Sequence, residues 1–235
     1  SPVVFYLPLP SAYIWLLILS SALLHGFYRI LVIYSYKFGD LSFVYPIARG
    51  GSSLLLVMIS IFYLSDKISI FGFIAILIIC FGLFLISYSK KIVFNKNAFI
   101  LGLLTAIMIT AYTLVDGIGI RSSKNAYTYL CWMLLLNGIP ALIVSLITKE
   151  DGLRKIDKDL LTKGISFGIL APLAYGLVVW CMLYLPIAYA SAIRETSIIF
   201  ATLIGVIILK EKEASSRIIP AIFIAAGIGA LYFQI

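Results

Sequence analysis

The chain has 235 residues, 63% of them apolar and 12% charged, with a mean hydropathy of +1.11 and a net charge of +8. A soluble domain carries roughly a quarter of its residues as charges, so this composition excludes one and puts the chain in a membrane. The surplus of bases does not point to nucleic acid, because the bases sit in short loops between apolar stretches, where membrane topology accounts for them.

Segments of about 20 apolar residues cross a hydrocarbon core of ~30 Å as helices. In chain order, such segments are predicted over 11–36, 41–64, 68–88, 97–119, 125–148, 164–185, 187–209 and 217–234, each ended by charged, Gly- or Pro-containing residues. The predicted fold is an all-α membrane protein, a polytopic helical bundle with eight spans. A membrane β-barrel requires alternating segments, and the runs Ile70 to Ile86 and Leu203 to Leu209 do not alternate.

Within the first span, His25, Tyr28 and Arg29 fall one turn apart on a single face. His25 reads either as a satisfied packing residue or, in a wet cavity, as a proton carrier, since imidazole titrates near neutral pH. The second span carries Tyr45, Pro46 and Arg49. Pro46 releases backbone groups that a cavity can use, which makes Tyr45 the best pocket candidate among the aromatic residues. Tyr175, Trp180, Trp132, Tyr34 and Tyr36 read either as pocket walls that stack a substrate or as interfacial anchors. In the fourth span, Tyr112 and Asp116 lie one turn apart. Asp116, near the end of that span, is either an interfacial carboxylate answering Arg121 or a group that recognises an amine or counters an arginine.

The seventh span holds Arg194 and Glu195, and Ser191, Arg194, Ser197, Ala201 and Gly205 follow helical spacing as a small, polar stripe. Glu195 reads either as an ion-pair partner of Arg194 or as a carboxyl that takes up a proton during transport. In the eighth span, Ala221, Ala225 and Gly229 form a small-xxx-small row suited to helix packing. Cys80, Cys131 and Cys181 each lie in an apolar span without metal-ligand spacing and read as small hydrophobes. No metal and no cofactor are predicted, and no Gly-x-x-x-x-Gly-Lys-[Ser/Thr] loop for ATP occurs.

An internal repeat organises these elements. At an offset of 145 positions, Arg49 pairs with Arg194, Ser52 with Ser197, Lys67 with Lys212 and Gly82 with Gly227, while Asp66 meets Glu211. At the same offset Ser1 falls opposite Leu146, and spans 97–119 and 125–148 have no earlier counterparts. Two helices, roughly 50 residues at about 20 per crossing plus turns, are therefore expected to be missing from the front, for a whole of five plus five. Residues 1–91 would be the remainder of the first repeat, with three helices, and 92–235 the second, with five. An odd number of crossings per repeat inverts the second copy, the architecture in which transporters place substrate near the midplane.

Arg49 and Arg194 lie eight and seven residues beyond the starts of their spans, a depth of roughly 10–12 Å at the helical rise. They approach the centre from opposite faces. A charge so deep costs at least ~2.5–3.5 kcal/mol unless it is paired or faces water, so two of them predict a polar cavity. Guanidinium suits carboxylate or phosphate by bidentate bonding, and anion binding is the predicted role. Loop bases give the sidedness. Lys37, Lys90, Lys91, Lys96, Lys149, Arg154, Lys155, Lys158, Lys163, Lys210, Lys212 and Arg217 share one face, against Lys67, Arg121 and Lys124 on the other. The positive-inside rule makes the first face cytoplasmic and the C-terminus external, although Glu150, Asp151, Asp157 and Asp159 offset the bases of one loop.

With the matched arginines, the acidic-Lys turns at Asp66-Lys67 and Glu211-Lys212, and the segments Gly39 to Gly50, Ala111 to Gly117 and Ile193 to Ser197, the chain resembles the EamA family of the drug/metabolite transporter superfamily over its whole length. The family's Gly-Glu turn stands here as Ser65-Asp66 and Lys210-Glu211. The resemblance implies ten helices, alternating access and transport of a small molecule across a bacterial or archaeal cytoplasmic membrane, with the bilayer and a small-molecule substrate as partners; a homo-oligomer is compatible with it.

The function expected is secondary transport of a small polar metabolite, anionic or zwitterionic. Substrate binding is assigned to Arg49, Arg194, Glu195, Asp116, Tyr112, Tyr45, Ser197, Tyr175 and Trp180, and proton coupling to Glu195, Asp116 or His25. The rivals are a lipid-linked-sugar flippase of the same fold, an intramembrane enzyme and a membrane scaffold. Against an enzyme stand the lack of an Asp-x-x-Asp pair within the spans or of His-Glu-x-x-His, and the single histidine.

Overall fold

The computed structural model describes residues 4, 6–64, 66–88, 95–148, 158–204, 207 and 218–235. Outside them lie the predicted features at Ser65, Lys90, Lys91, Lys149, Glu150, Asp151, Arg154, Lys155, Asp157, Gly205, Lys210, Glu211, Lys212 and Arg217, together with the side chains of Lys158, Asp159 and Lys163. The described residues contain ten helices and no strand: α1 (Ala12–Phe38), α2 (Leu41–Tyr63), α3 (Ile70–Tyr88), α4 (Lys96–Ser122), α5 (Ala126–Leu136), α6 (Gly138–Thr148), α7 (Lys158–Cys181), α8 (Ile187–Ile193), α9 (Thr196–Leu203) and α10 (Ile218–Tyr232).

Helix starts follow the local chemistry. The Asn95 side chain accepts from the Asn97 and Ala98 amides at 2.9 and 3.2 Å, and Asn125 accepts from Tyr127 and Thr128 at 2.9 and 3.3 Å, satisfying donors that a first helical turn leaves over. Ser69 accepts from the Gly72 amide at 2.9 Å at the start of α3. Four helical stretches are long and apolar enough to cross a membrane, Ala12–Phe38, Phe43–Tyr63, Lys96–Ser122 and Ala126–Val144. Ile70–Ile86, Gly168–Cys181 and Ile218–Tyr232 are shorter apolar helices.

Burial is reversed relative to a protein built for water. On α4, Phe99, Ile100, Leu103, Leu104 and Ile107 are exposed while Thr105, Thr110, Thr113 and Asp116 are buried. Lipid solvates the apolar face, and polar groups turn inward to find one another. The chain is a multi-pass helical membrane protein.

Two predicted spans carry a local irregularity, and one of them still forms a single helical stretch over Ala126–Val144. Residues 125–148 form α5 and α6, parted at Asn137, beyond which Gly138 and Pro140 weaken the helix. Residues 187–203 form α8 and α9, parted at Arg194-Glu195 without a Gly or Pro. The predicted stripe Ser191-Arg194-Ser197-Ala201 is therefore not one helical face: Ser191 is buried, whereas Ser197 and Ala201 are exposed.

The helices sort into two compact units, 1–30 with 112–184 and 31–111 with 185–235, whose boundaries run through α1 and α4. In the second unit α3 packs on α10, and the contact is reciprocal. A Cβ on Gly82 would lie 2.8 Å from Ile224 Cγ1 and 2.9 Å from the Pro220 carbonyl; one on Gly227 would lie 2.6 Å from Ile79 Cγ1 and 2.8 Å from the Ala75 carbonyl. These triplets are related by the 145-residue offset. The small row predicted on α10 is corrected accordingly. Ala225 and Gly229 are exposed, nothing lies within 4 Å of a Cβ on Gly229, and the packed face is Pro220, Ala221, Ile224, Gly227 and Leu231.

The Asp66 turn has a structural task in the same unit. Its Oδ2 accepts from the Ile187 amide at the start of α8, at 3.1 Å. Nearby, the Ser69 amide donates to the Tyr189 hydroxyl at 3.3 Å. Gly72 leaves the space that this hydroxyl fills.

Candidate functional sites

Each unit holds a buried cluster of predicted site residues. In the unit of residues 31–111 and 185–235, α2 supplies Tyr45 and Arg49, and the α8–α9 junction supplies Arg194 and Glu195. The junction is a tightened turn. Glu195 N donates to the Ala192 carbonyl at 3.0 Å and Ser197 N to the Arg194 carbonyl at 3.2 Å, while the Thr196 hydroxyl donates back to the Ile193 carbonyl and competes with the helical pattern.

Glu195 is fully buried, and both arginines reach the same oxygen: Arg49 Nη2 stands 3.2 Å from Glu195 Oε1 and Arg194 Nε 3.8 Å. The Arg49 guanidinium lies over the Tyr45 ring, 5.6 Å from its centroid. The arginines predicted to converge thus share one carboxylate. Neither Glu195 oxygen meets hydrogen-bond geometry, nor do Arg194 Nε and Nη2. Ionic attraction, not hydrogen bonding, accounts for this part of the cluster. Ser52, the repeat partner of Ser197, is buried and donates to the Arg49 carbonyl at 2.9 Å; Ser197 itself is exposed.

The unit of residues 1–30 and 112–184 surrounds Asp116. Its carboxylate is fully buried and accepts from the Tyr175 hydroxyl at 2.6 Å and the Tyr129 hydroxyl at 3.0 Å, with Ser21 as a further hydrogen-bond partner. His25 Nδ1 lies 3.4 Å from the Ser21 hydroxyl and 3.0 Å from the Ser21 carbonyl. A carbonyl only accepts, so this shorter contact places the hydrogen on Nδ1. The His25 ring stacks on Tyr112 at 4.0 Å between centroids and meets Tyr175 edge-on at 5.4 Å; Tyr28 meets Tyr112 at 5.5 Å.

Two predicted residues have other surroundings. Trp180 packs on Tyr127, with ring centroids 4.9 Å apart. Arg121 Nε donates to the Met182 carbonyl at 2.7 Å, beyond the end of α7. Arg29, predicted on one face with His25 and Tyr28, donates to the Asn137 carbonyl at 3.2 Å, where α5 gives way to α6. Sequence reasoning missed Ser21 and Tyr129 as partners of Asp116. Gly119 makes room for Tyr129, since any side chain there would strike its ring. Among the described residues, no group of three or more His, Cys, Asp and Glu side chains is arranged to hold a metal ion.

The sequence model of the EamA-like transporter family matches residues 96–233. No curated protein matches the chain.

Proposed function

The chain belongs to the EamA-like transporter family, and from that premise we propose that it is a secondary transporter of a small polar metabolite, anionic or zwitterionic, working by alternating access in a bacterial or archaeal cytoplasmic membrane. The observation that carries this reading is the meeting of Arg49 and Arg194 on Glu195. Buried guanidinium groups are costly in a membrane unless they have an anionic partner. Those whose bonds to that partner are incomplete offer donors to a second anion. A substrate that contacts the arginines differently in the two access states shifts the equilibrium between them.

The proposed architecture is eight crossings in an inverted repeat, with α5–α6 and α8–α9 as discontinuous spans of the kind that line transporter cavities. The reciprocal Gly82 and Gly227 contacts support the repeat. The family match over 96–233 supports reading 92–235 as one repeat and 1–91 as part of another. For the second cluster we assign proton coupling to Asp116 with His25, and the closed stacking of His25, Tyr112 and Tyr175 favours a proton over an amine as the cation taken up.

A thermal-shift screen of the full chain with anionic and zwitterionic metabolites, repeated with Arg49→Ala and Arg194→Ala, tests the site. Ligands that stabilise the wild type are expected to lose their effect in both variants. Equal stabilisation of wild type and variants would refute the arginine site, and failure of the stabilising ligands to accumulate in proteoliposomes would refute transport.

A further inference from the structure

We propose that Arg194 alone takes the substrate's carboxylate, and that Arg49 is a positioning residue that holds Glu195 away from it. The inference rests on the anion-site reading above and divides the work between its two arginines. Arg194 Nε and Nη2, the two donors of the guanidinium's side-on fork, are both buried without a hydrogen bond. A settled charge-assisted pair has contacts of about 2.7–2.9 Å and is often bidentate, whereas Glu195 Oε1 approaches Nε only to 3.8 Å. The fork matches the two oxygens of a carboxylate. Buried donors are ordinarily satisfied, so a fork left unbonded marks a place for a ligand.

Arg49 is engaged instead. Its Nη2 stands 3.2 Å from Glu195 Oε1, closer than Arg194 comes. Tyr45, one turn back on α2, lies with its ring centroid 5.6 Å from the Arg49 guanidinium and is hydrogen-bonded to it, so the arginine is itself held while it holds Glu195. Glu195 is the competitor for the fork: it adjoins Arg194, is fully buried, and neither of its oxygens has a hydrogen bond. Drawn toward Arg49, it stays out of bonding range of Arg194. Both fork nitrogens are sealed from solvent in this structure, so a carboxylate reaches them when the site opens, as alternating access requires. On closure, Arg49 decides whether Glu195 or the substrate takes the fork.

The test measures propionate binding to the full chain by thermal shift, against bromide as a spherical monoanion. Wild type is expected to bind propionate in preference to bromide. Arg194→Lys keeps the charge and loses the fork. It is expected to weaken propionate about tenfold or more beyond what Arg49→Lys does, one charge-assisted hydrogen bond being worth at least that, and to abolish the preference over bromide. Arg49→Lys keeps a cation on Glu195 and is expected to keep the preference. Arg49→Ala is expected to lose propionate, because Glu195 then closes on Arg194. Arg49→Ala/Glu195→Ala removes the competitor and is expected to recover about tenfold or more of that loss. The lysine pair decides the question even if the double variant does not fold. Equal loss of propionate in the two lysine variants, no recovery in a folded double variant, or no preference for propionate in wild type overturns the inference while leaving the arginine site in place. Propionate binding that persists unchanged in both Arg49→Ala and Arg194→Ala overturns both.

Discussion

Substituting Gly227 by Ala tests the reciprocal α3–α10 contact. The new Cβ would sit 2.6 Å from Ile79 Cγ1 and 2.8 Å from the Ala75 carbonyl, whereas carbon atoms in favourable contact stand about 3.5–4.0 Å apart. Ile79 can rotate away, but a backbone carbonyl cannot, so α10 has to withdraw from α3 by up to about 1 Å. Overpacking of this kind costs about 1–3 kcal/mol, while exchanging Gly for Ala within a helix returns about 1 kcal/mol. The expected net loss is up to about 2 kcal/mol. Gly229→Ala, two residues on and in open space, gains the helical term alone and is expected to be neutral or stabilising by up to about 1 kcal/mol. Gly82→Ala should mirror Gly227→Ala. The double variant should cost less than the sum, because one separation of the helices relieves both clashes. Reversible unfolding of the full chain in detergent, followed by circular dichroism, measures all four. Equal destabilisation by Gly227→Ala and Gly229→Ala, or strict additivity of Gly82→Ala and Gly227→Ala, refutes a crossing centred on these two glycines.

Further outcomes follow from the same unfolding assay. Gly72→Ala places a methyl group where the Tyr189 hydroxyl lies; a loss of about 1–3 kcal/mol is expected, with partial recovery in Gly72→Ala/Tyr189→Phe. Asp66→Ala removes the acceptor for the Ile187 amide and is expected to cost about 1 kcal/mol, as loss of a capping carboxylate does. Tyr175→Phe and Tyr129→Phe each withdraw a hydroxyl from the buried Asp116 carboxylate, with an expected loss of about 1–3 kcal/mol apiece. Their effects should be non-additive, since both act on one carboxylate.

Membrane class and the matched arginines were legible in sequence because each leaves a trace at the level of residues. Apolar runs announce lipid-exposed helices, and an arginine within such a run needs a partner. The partner was legible in part: Glu195 adjoins Arg194, and the paired arginines focused attention on it. The Asp116 cluster was only half visible. Tyr112 shares a helical face with Asp116, but Tyr129 and Tyr175 arrive from α5 and α7, and no local periodicity encodes which tyrosine of another helix will reach a carboxylate. The packing row on α10 was misread for a related reason. Small residues four apart are common in an apolar helix, whereas Gly227 was singled out by its repeat partner Gly82, a signal tied to the fold rather than to one helix.

The arginine cluster sits at the break between α8 and α9. The three-residue hydrogen bonds from Glu195 and Ser197, with the Thr196 hydroxyl taking the Ile193 carbonyl, tighten the turn at that point. Successive residues of such a turn point about 120° apart, so Arg194 reaches Glu195 Oε1 through the length of its own side chain, to 3.8 Å, while Arg49 approaches the same oxygen from α2 at 3.2 Å. The junction thus holds two opposite charges in one buried cluster, with the Thr196 hydroxyl bonded to the Ile193 carbonyl beside it. Thr196→Val keeps the shape and removes the hydroxyl. It is expected to favour a continuous helix through 193–197 and to weaken any anion response that depends on Arg49 and Arg194, with little loss of helical circular dichroism. An unchanged anion response in Thr196→Val would sever the link between the helix break and the site.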